Sequence, residues 1–222
     1  MYDELKNKNL FNLDETIASS LIDSKDYPWE VLPEIAEYIL FLGQKLDPEE
    51  YEKRGENIWI AKSATIADFA TISGPCIIGK KTEVRPGAFI RGNAIVGENC
   101  VVGNSTELKN VILFNNVQVP HYNYVGDSIL GFKSHMGAGS ITSNVKSDKT
   151  LVNIYYKGER VHTGLKKMGA ILGNYVEVGC NSVLNPGTVI GSNTNIYPLS
   201  SVRGFIPKGV IFKSRDNVVA KN

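Results

Sequence analysis

The chain holds three histidines, His121, His135 and His162. A neutral imidazole near physiological pH can take a proton from an amine or a hydroxyl nucleophile. His121, which follows Pro120 in the run PHYNYVGD, is the candidate general base. Asp127 or a main-chain carbonyl is the candidate partner for its other ring nitrogen. Three cations share one kind of position. Arg85 follows Val84, Arg91 follows Ile90 and Lys109 follows Leu108. Such cations gathered at one place suit a phosphate or another anion; the alternative is three ordinary solvated side chains.

The element that must position them is a six-residue repeat. Every sixth residue from Ile60 to Phe114 is apolar: Ile60, Ile66, Ile72, Ile78, Val84, Ile90, Val96, Val102, Leu108 and Phe114. Four residues after most of them stands a small one, such as Ala64, Ala70, Cys76, Ala88, Ala94 or Cys100. A period of six fits neither a helix at 3.6 nor a strand at 2. It is the hexapeptide repeat of a β-helix, in which three hexads close a triangular coil of about 18 residues. Arg91 and Lys109 are one coil apart and stack on one face, with Arg85 on the neighbouring face. The repeat slips after Phe114, where Pro120 takes the next sixth position, and resumes at Leu130 and Met136. It stops near Thr142 and continues from Leu172 as Val178, Leu184, Ile190, Ile196 and Val202. The expectation is therefore two breaks, Val117–Ile129 and Ser143–Ala170. In the second, Lys157-Gly158 between two β-prone runs predicts a hairpin. All three histidines lie in or beside these breaks, where function is expected.

Composition narrows the classes. The 222 residues carry a formal charge of +1, so no bulk field draws nucleic acid or a membrane surface. No apolar run approaches the ~20 residues that span a bilayer. The start, MYDELKNKNL, lacks the apolar core of a signal peptide, and the expected compartment is the cytoplasm. Cys76 and Cys100 fall on small-residue positions and read as buried thiols. Before the repeat, Asp14 is expected to cap a short helix through Leu21. Pro28–Leu46 carries a helical apolar face. Residues 1–57 are read as a helical cap over the end of the coil plus a charged linker, 58–215 as the β-helix with an insertion at about 143–170, and 216–222 as a tail.

Five motifs in this order carry a resemblance: RPGA (85–88), GNSTELK (103–109), HYNYVGD (121–127), HMGAGSITSN (135–144) and the late VEVGCNSVLNPGTVIG. They resemble the acetyltransferase half of the bifunctional N-acetylglucosamine-1-phosphate uridyltransferase/glucosamine-1-phosphate N-acetyltransferase family, over residues 58 to 215. No Gly-rich uridyltransferase signature stands before them. The resemblance implies an all-β fold, a left-handed parallel β-helix with a small helical N-terminal region. It also implies a homotrimer and acetyl-CoA-dependent N-acetylation of an amino-sugar 1-phosphate, with no metal in the step. It assigns His121 as general base, and Arg85, Arg91, Lys109, Tyr124 and His135 to the substrate. Ala138, Asn144, Val145, Cys180, Pro198 and Arg215 go to acetyl-CoA. The chain departs from the family pattern at His135, Val145, Cys180 and Pro198, and in the long insertion. Main-chain amides at Gly137–Gly139 are the expected oxyanion donors. The alternatives are an O-acetyltransferase, a non-catalytic sugar-nucleotide-binding trimer, and a zinc carbonic anhydrase of the same fold. The last needs two histidines close in sequence, whereas these stand 14 and 27 residues apart (135 − 121, 162 − 135).

Overall fold

The computed structural model describes residues 2–221; Met1 and Asn222, the outer ends of the N-terminal region and of the tail, lie outside them. From Ile58 onward, short strands stack in register as a left-handed parallel β-helix with three faces. The first face is built from Ile58–Ala61, Cys76–Ile78 and their successors up to Phe205–Ile206. The second runs from Thr65–Ile66 through Gln118–His121 to Val210–Ser214. The third runs from Thr71–Ile72 through Phe89–Ile90 to Ser201–Val202. Ile60, Val84, Ile90, Val102 and Leu108 point inward and are 0–2% exposed. Small or hydroxyl side chains such as Ala88, Thr106 and Ser140 fill the corner between the second and third faces.

The register differs from the six-residue count at one place. Val96 pairs with Leu113, and Leu113 with Leu130. These two coils are therefore 17 residues long, not 18. The missing residue lies where Glu107–Leu113 and Tyr124–Leu130 run straight through a corner as single strands. The left-handed residues Asn110 (φ 56) and Asp127 (φ 48) turn them there. Val119, not Pro120, is then the inward residue of the next strand and is fully buried. There is no interruption between Val117 and Ile129. Phe114 lies outside the stack and packs on Phe11, ring centres 4.9 Å apart.

The second excursion is a true insertion. Leu130 pairs with Leu172 directly, so the chain between leaves the coil and returns. Asn153–Tyr156 and Glu159–His162 form the antiparallel hairpin. Its turn is Lys157 (φ 46) and Gly158 (φ 88), the two left-handed residues that suit a tight hairpin. The hairpin lies along the edge between the third and first faces. A Cβ at Gly187 or Gly204 would sit 2.6 Å from the carbonyl oxygen of Asn153 or Tyr155. Those two glycines let the hairpin backbone dock against the coil.

The N-terminal region corrects the expected cap. It does not cover the end of the coil; it runs along the whole first face. The helix Ile35–Gly43 packs on the early strands and the 3-10 turn Pro28–Glu34 lies beside Tyr124–Leu130. The Glu15 carbonyl accepts from Asn115 N, and the Leu10 carbonyl from Asn174 N and Ser192 Oγ. Near the start, Glu4 accepts from Tyr156 Oη at 2.7 Å and pairs with Lys157 of the hairpin. The cause is a second apolar column. Trp59, Ile77, Ile95, Ile112, Ile129, Ile171, Val189 and Phe205 each precede an inward residue and pair in register. They point outward, and the central six are fully buried beneath the N-terminal strap. Asp14 caps nothing; the Asn12 side chain accepts from Asp14 N, and the helix forms at Ser19–Asp23. Tyr51–Lys53, in the charged segment, pairs antiparallel on the first strand, and Asn217–Ala220 does the same on the last. Both cover a sheet edge.

Truncating Ile95 to Ala, beneath the strap, should cost ~2–5 kcal/mol in urea unfolding, as burial in a tight core implies. A cost below about 1 kcal/mol would mean that the strap is not part of the core.

Candidate functional site

His121 ends a strand of the second face just before the corner, and it is exposed. Its register partner is Asn104. The same place in later coils holds Ala138, Cys180 and Pro198, two residues after the inward Met136, Val178 and Ile196. One ladder joins the column. Gly139 N donates to the His121 carbonyl (3.0 Å), Asn181 N to that of Ala138 (2.9 Å) and Leu199 N to that of Cys180 (2.9 Å). The expected base and three expected acetyl-CoA residues therefore stand on one edge, at steps of ~4.8 Å along the coil axis. The Gly137 and Gly139 amides donate to Val178 and His121 carbonyls, so they are not available as oxyanion donors. The Ala138 and Cys180 amides have no hydrogen-bond acceptor among the described residues.

Asn123 is a further site residue that the motifs do not single out. It occupies the corner position that Ala, Thr or Ser takes elsewhere and is 2% exposed. Its Oδ1 accepts from His121 N (3.1 Å), and its Nδ2 donates to the carbonyls of Gly137 (2.9 Å) and Ser140 (3.0 Å). The side chain pegs the His121 coil to the Ala138 coil. An amide in a small-residue position was the available signal.

Around the corner, the third face carries the second group. Leu108 pairs with Ile90 and Val125, which places Arg91, Lys109 and Gly126 in consecutive coils. Arg91 pairs with Glu107 at 2.6 Å, and Lys109 with Asp127 at 3.0 Å. Each cation thus already holds a carboxylate. Tyr124 is half-buried beside them and accepts from Asn144 Nδ2 at 3.2 Å. Burial, with the nearby Asp127 charge, raises its phenol above the usual range. A Cβ at Gly126 would come 2.5 Å from the Tyr124 hydroxyl, which accounts for glycine in the YVGD motif. Asp127 faces Lys109, Asn110 and Asn144; it does not orient His121, as one expectation had it.

Two expected substrate residues stand apart. Arg85 is on the second face, paired with Glu83. His135 is also there, its Nδ1 2.8 Å from Glu177 Oε2. His162 lies on the hairpin, Nδ1 2.9 Å from Asn153 Oδ1. No group of three or more His, Cys, Asp or Glu among the described residues gathers closely enough for a metal ion. Val145 is half-buried in the first leg of the insertion. Burial pushes the Cys76 and Cys100 thiols up to about 12, whereas Cys180 is exposed. A cleft of about 490 Å3 lies between the hairpin and the last coils, lined by Tyr155, Glu159, Asn185, Arg203 and Arg215 among others. The third face thus lies between the His121 edge and the edge where the hairpin docks, and the cleft occupies its last coils.

The GMPPB C-terminal domain model matches residues 72–194. A bifunctional protein GlmU of Methanococcus maripaludis is 38% identical over 172 residues, 77% of this chain and 42% of that protein. One from Methanocaldococcus jannaschii is 34% identical over 198 residues, 86% of this chain and 47% of that protein. The chain matches less than half the length of these curated relatives. A putative acetyltransferase of Bacillus cereus aligns in structure at 20% identity and a TM-score of 0.41, over 73% of this chain and 76% of that one. No helix is long and apolar enough to cross a membrane among the described residues.

Replacing Asn123 by Ala should cost ~1–3 kcal/mol, because it leaves the Ser140 carbonyl and the His121 amide without their partner. Thermal unfolding measures it, and an unchanged melting temperature would contradict the peg.

Proposed function

We propose that this chain, which belongs to the GMPPB C-terminal domain family, transfers the acetyl group of acetyl-CoA to the amine of an amino-sugar 1-phosphate. Glucosamine 1-phosphate is the acceptor proposed, as a step toward a UDP-N-acetylglucosamine-type sugar nucleotide. The observation that carries this reading is the edge on which exposed His121 stands one coil from the unpaired amide of Ala138 and two from that of Cys180. Relatives named as bifunctional GlmU proteins support the chemical class.

In this mechanism the His121 imidazole takes a proton as the sugar nitrogen attacks the thioester carbon. A general base of this kind contributes ~10²–10⁴ in rate. The Ala138 amide donates to the oxyanion, where a preorganised donor does most. The C–S bond then breaks, and the CoA thiolate leaves and takes up a proton. The donor lies along Ala138, Cys180 and Pro198, with Arg203 and Arg215 toward its phosphates. Arg91, Lys109 and Tyr124 hold the acceptor, and Arg85 and His135 are set aside because they face another way. No acyl-enzyme is formed, and no metal enters the step. The assembly proposed is a homotrimer, and the proposed compartment is the cytoplasm.

Thiol release from acetyl-CoA with glucosamine 1-phosphate tests the reading. His121→Ala should lower turnover by ~10²–10⁴, and a loss under about tenfold would exclude His121 as the base. Release only with hydroxyl acceptors would make the enzyme an O-acetyltransferase. No release with any acceptor and no binding of acetyl-CoA would favour a sugar-nucleotide-binding protein.

A further inference from the structure

We propose that Asp127 is the positioning residue of the third face: it fixes the Lys109 ammonium where the acceptor meets it, and it holds the Asn110 and Asn144 amides beside it, without touching the acceptor itself. This rests on the reading of the third face as the acceptor site. Asp127 is 4% exposed and holds a left-handed backbone at the shortened corner (φ 48). Its carboxylate accepts from Lys109 Nζ on both oxygens (3.0 and 3.1 Å), from Asn110 Nδ2 (3.0 Å) and from Asn144 Nδ2 (2.5 Å).

A count of donors shows what is left for a ligand. An amide nitrogen carries two N–H groups and an ammonium three. Asn110 gives one to Asp127 and one to the Leu32 carbonyl of the N-terminal strap (3.2 Å). Asn144 gives one to Asp127 and one to Tyr124 Oη. Both amides are filled. Lys109 turns two N–H groups toward the carboxylate and keeps one. Its side chain is 26% exposed against 5% for Asp127, so the ammonium is the member of the pair that a ligand reaches. A long lysine side chain has many rotamers; a buried bidentate carboxylate leaves it one direction.

The same residue ties three parts of the chain together. Asn110 links it to the strap, and Asn144 to the first leg of the insertion. Gly169 N of the returning leg donates to the Asp127 carbonyl (2.8 Å), and Met168 N donates to that of Asn144 (3.0 Å). The preceding coil turns here at Asn110 and the one before it at Gly92 and Asn93, all left-handed and none a carboxylate.

A double-mutant cycle tests the proposal. Asp127→Asn and Lys109→Met should each lower kcat/KM for the amino-sugar phosphate by about tenfold or more, as strongly coupled neighbours do. The double variant should fall no further than the worse single one. Losses that multiply, or an Asp127→Asn protein with unchanged kcat/KM, overturn the proposal. If Asp127→Asn alone does not fold, the double variant, which buries no unpaired charge, is compared with Lys109→Met. Equal kcat/KM supports the proposal, and a further tenfold loss overturns it. If the wild type acetylates no amino-sugar phosphate, the reading of the third face as the acceptor site fails on its own. Hydrogen exchange in the double variant then decides. Protection at Met168 should drop at least tenfold while Gly137 in the ladder keeps its own, and unchanged protection at Met168 overturns the proposal.

Discussion

Successive coils are held by main-chain hydrogen bonds at ~4.8 Å spacing around a dry aliphatic stack, and every surface position depends on that ladder. An inward residue placed one step early or late rotates all that follows it around the prism. The 17-residue coils show the consequence. By shortening the corner at Asn110 and again at Asp127, they bring Val119 inward and leave His121 on the edge, directly before Ala138 in the column. Had the 18-residue count continued, Pro120 would face inward and the imidazole would point elsewhere. The place of His121 on the edge is thus set by a missing residue some distance from it.

The strap has its own logic. A prism face bearing Ile77, Ile95, Ile112 and Ile129 on its outside cannot remain in water without a large apolar patch. The chain covers that face with its own N-terminal region, and polar caps at Leu10, Glu15 and Leu32 carbonyls fix the strap in register. What stays open is the edge between the second and third faces and the third face beside it. The first face is occupied, which leaves the other two for the proposed site.

How much of this was legible in the sequence follows from what each feature leaves there. The inward stack repeats nine times without error, from Ile60 to Leu108, so fold class and the order of faces could be read directly. The hairpin was legible because Lys157-Gly158 needs two left-handed residues. The strap was not read, although the residues before every third inward position, from Trp59 to Phe205, are apolar; a second column at the coil period was the signal. The six-residue count puts the slip one step late because Phe114 is apolar and as buried as Leu113; periodicity cannot tell an inward side chain from one buried under a strap. Arg85 shares the RPGA motif yet faces away, because one hexad turns a residue through a whole face. The charge balance of Lys109 with Asp127 depends on contacts across coils, which spacing alone does not display.

The most direct test of the central claim is the crystal structure of the protein with acetyl-CoA bound. The account predicts the thioester beside His121, its carbonyl oxygen at ~2.7–3.1 Å from the Ala138 amide, and the arm running past Cys180 and Pro198 toward Arg215. An arm lying along the second face at Arg85 and His135, with the thioester away from His121, would contradict it.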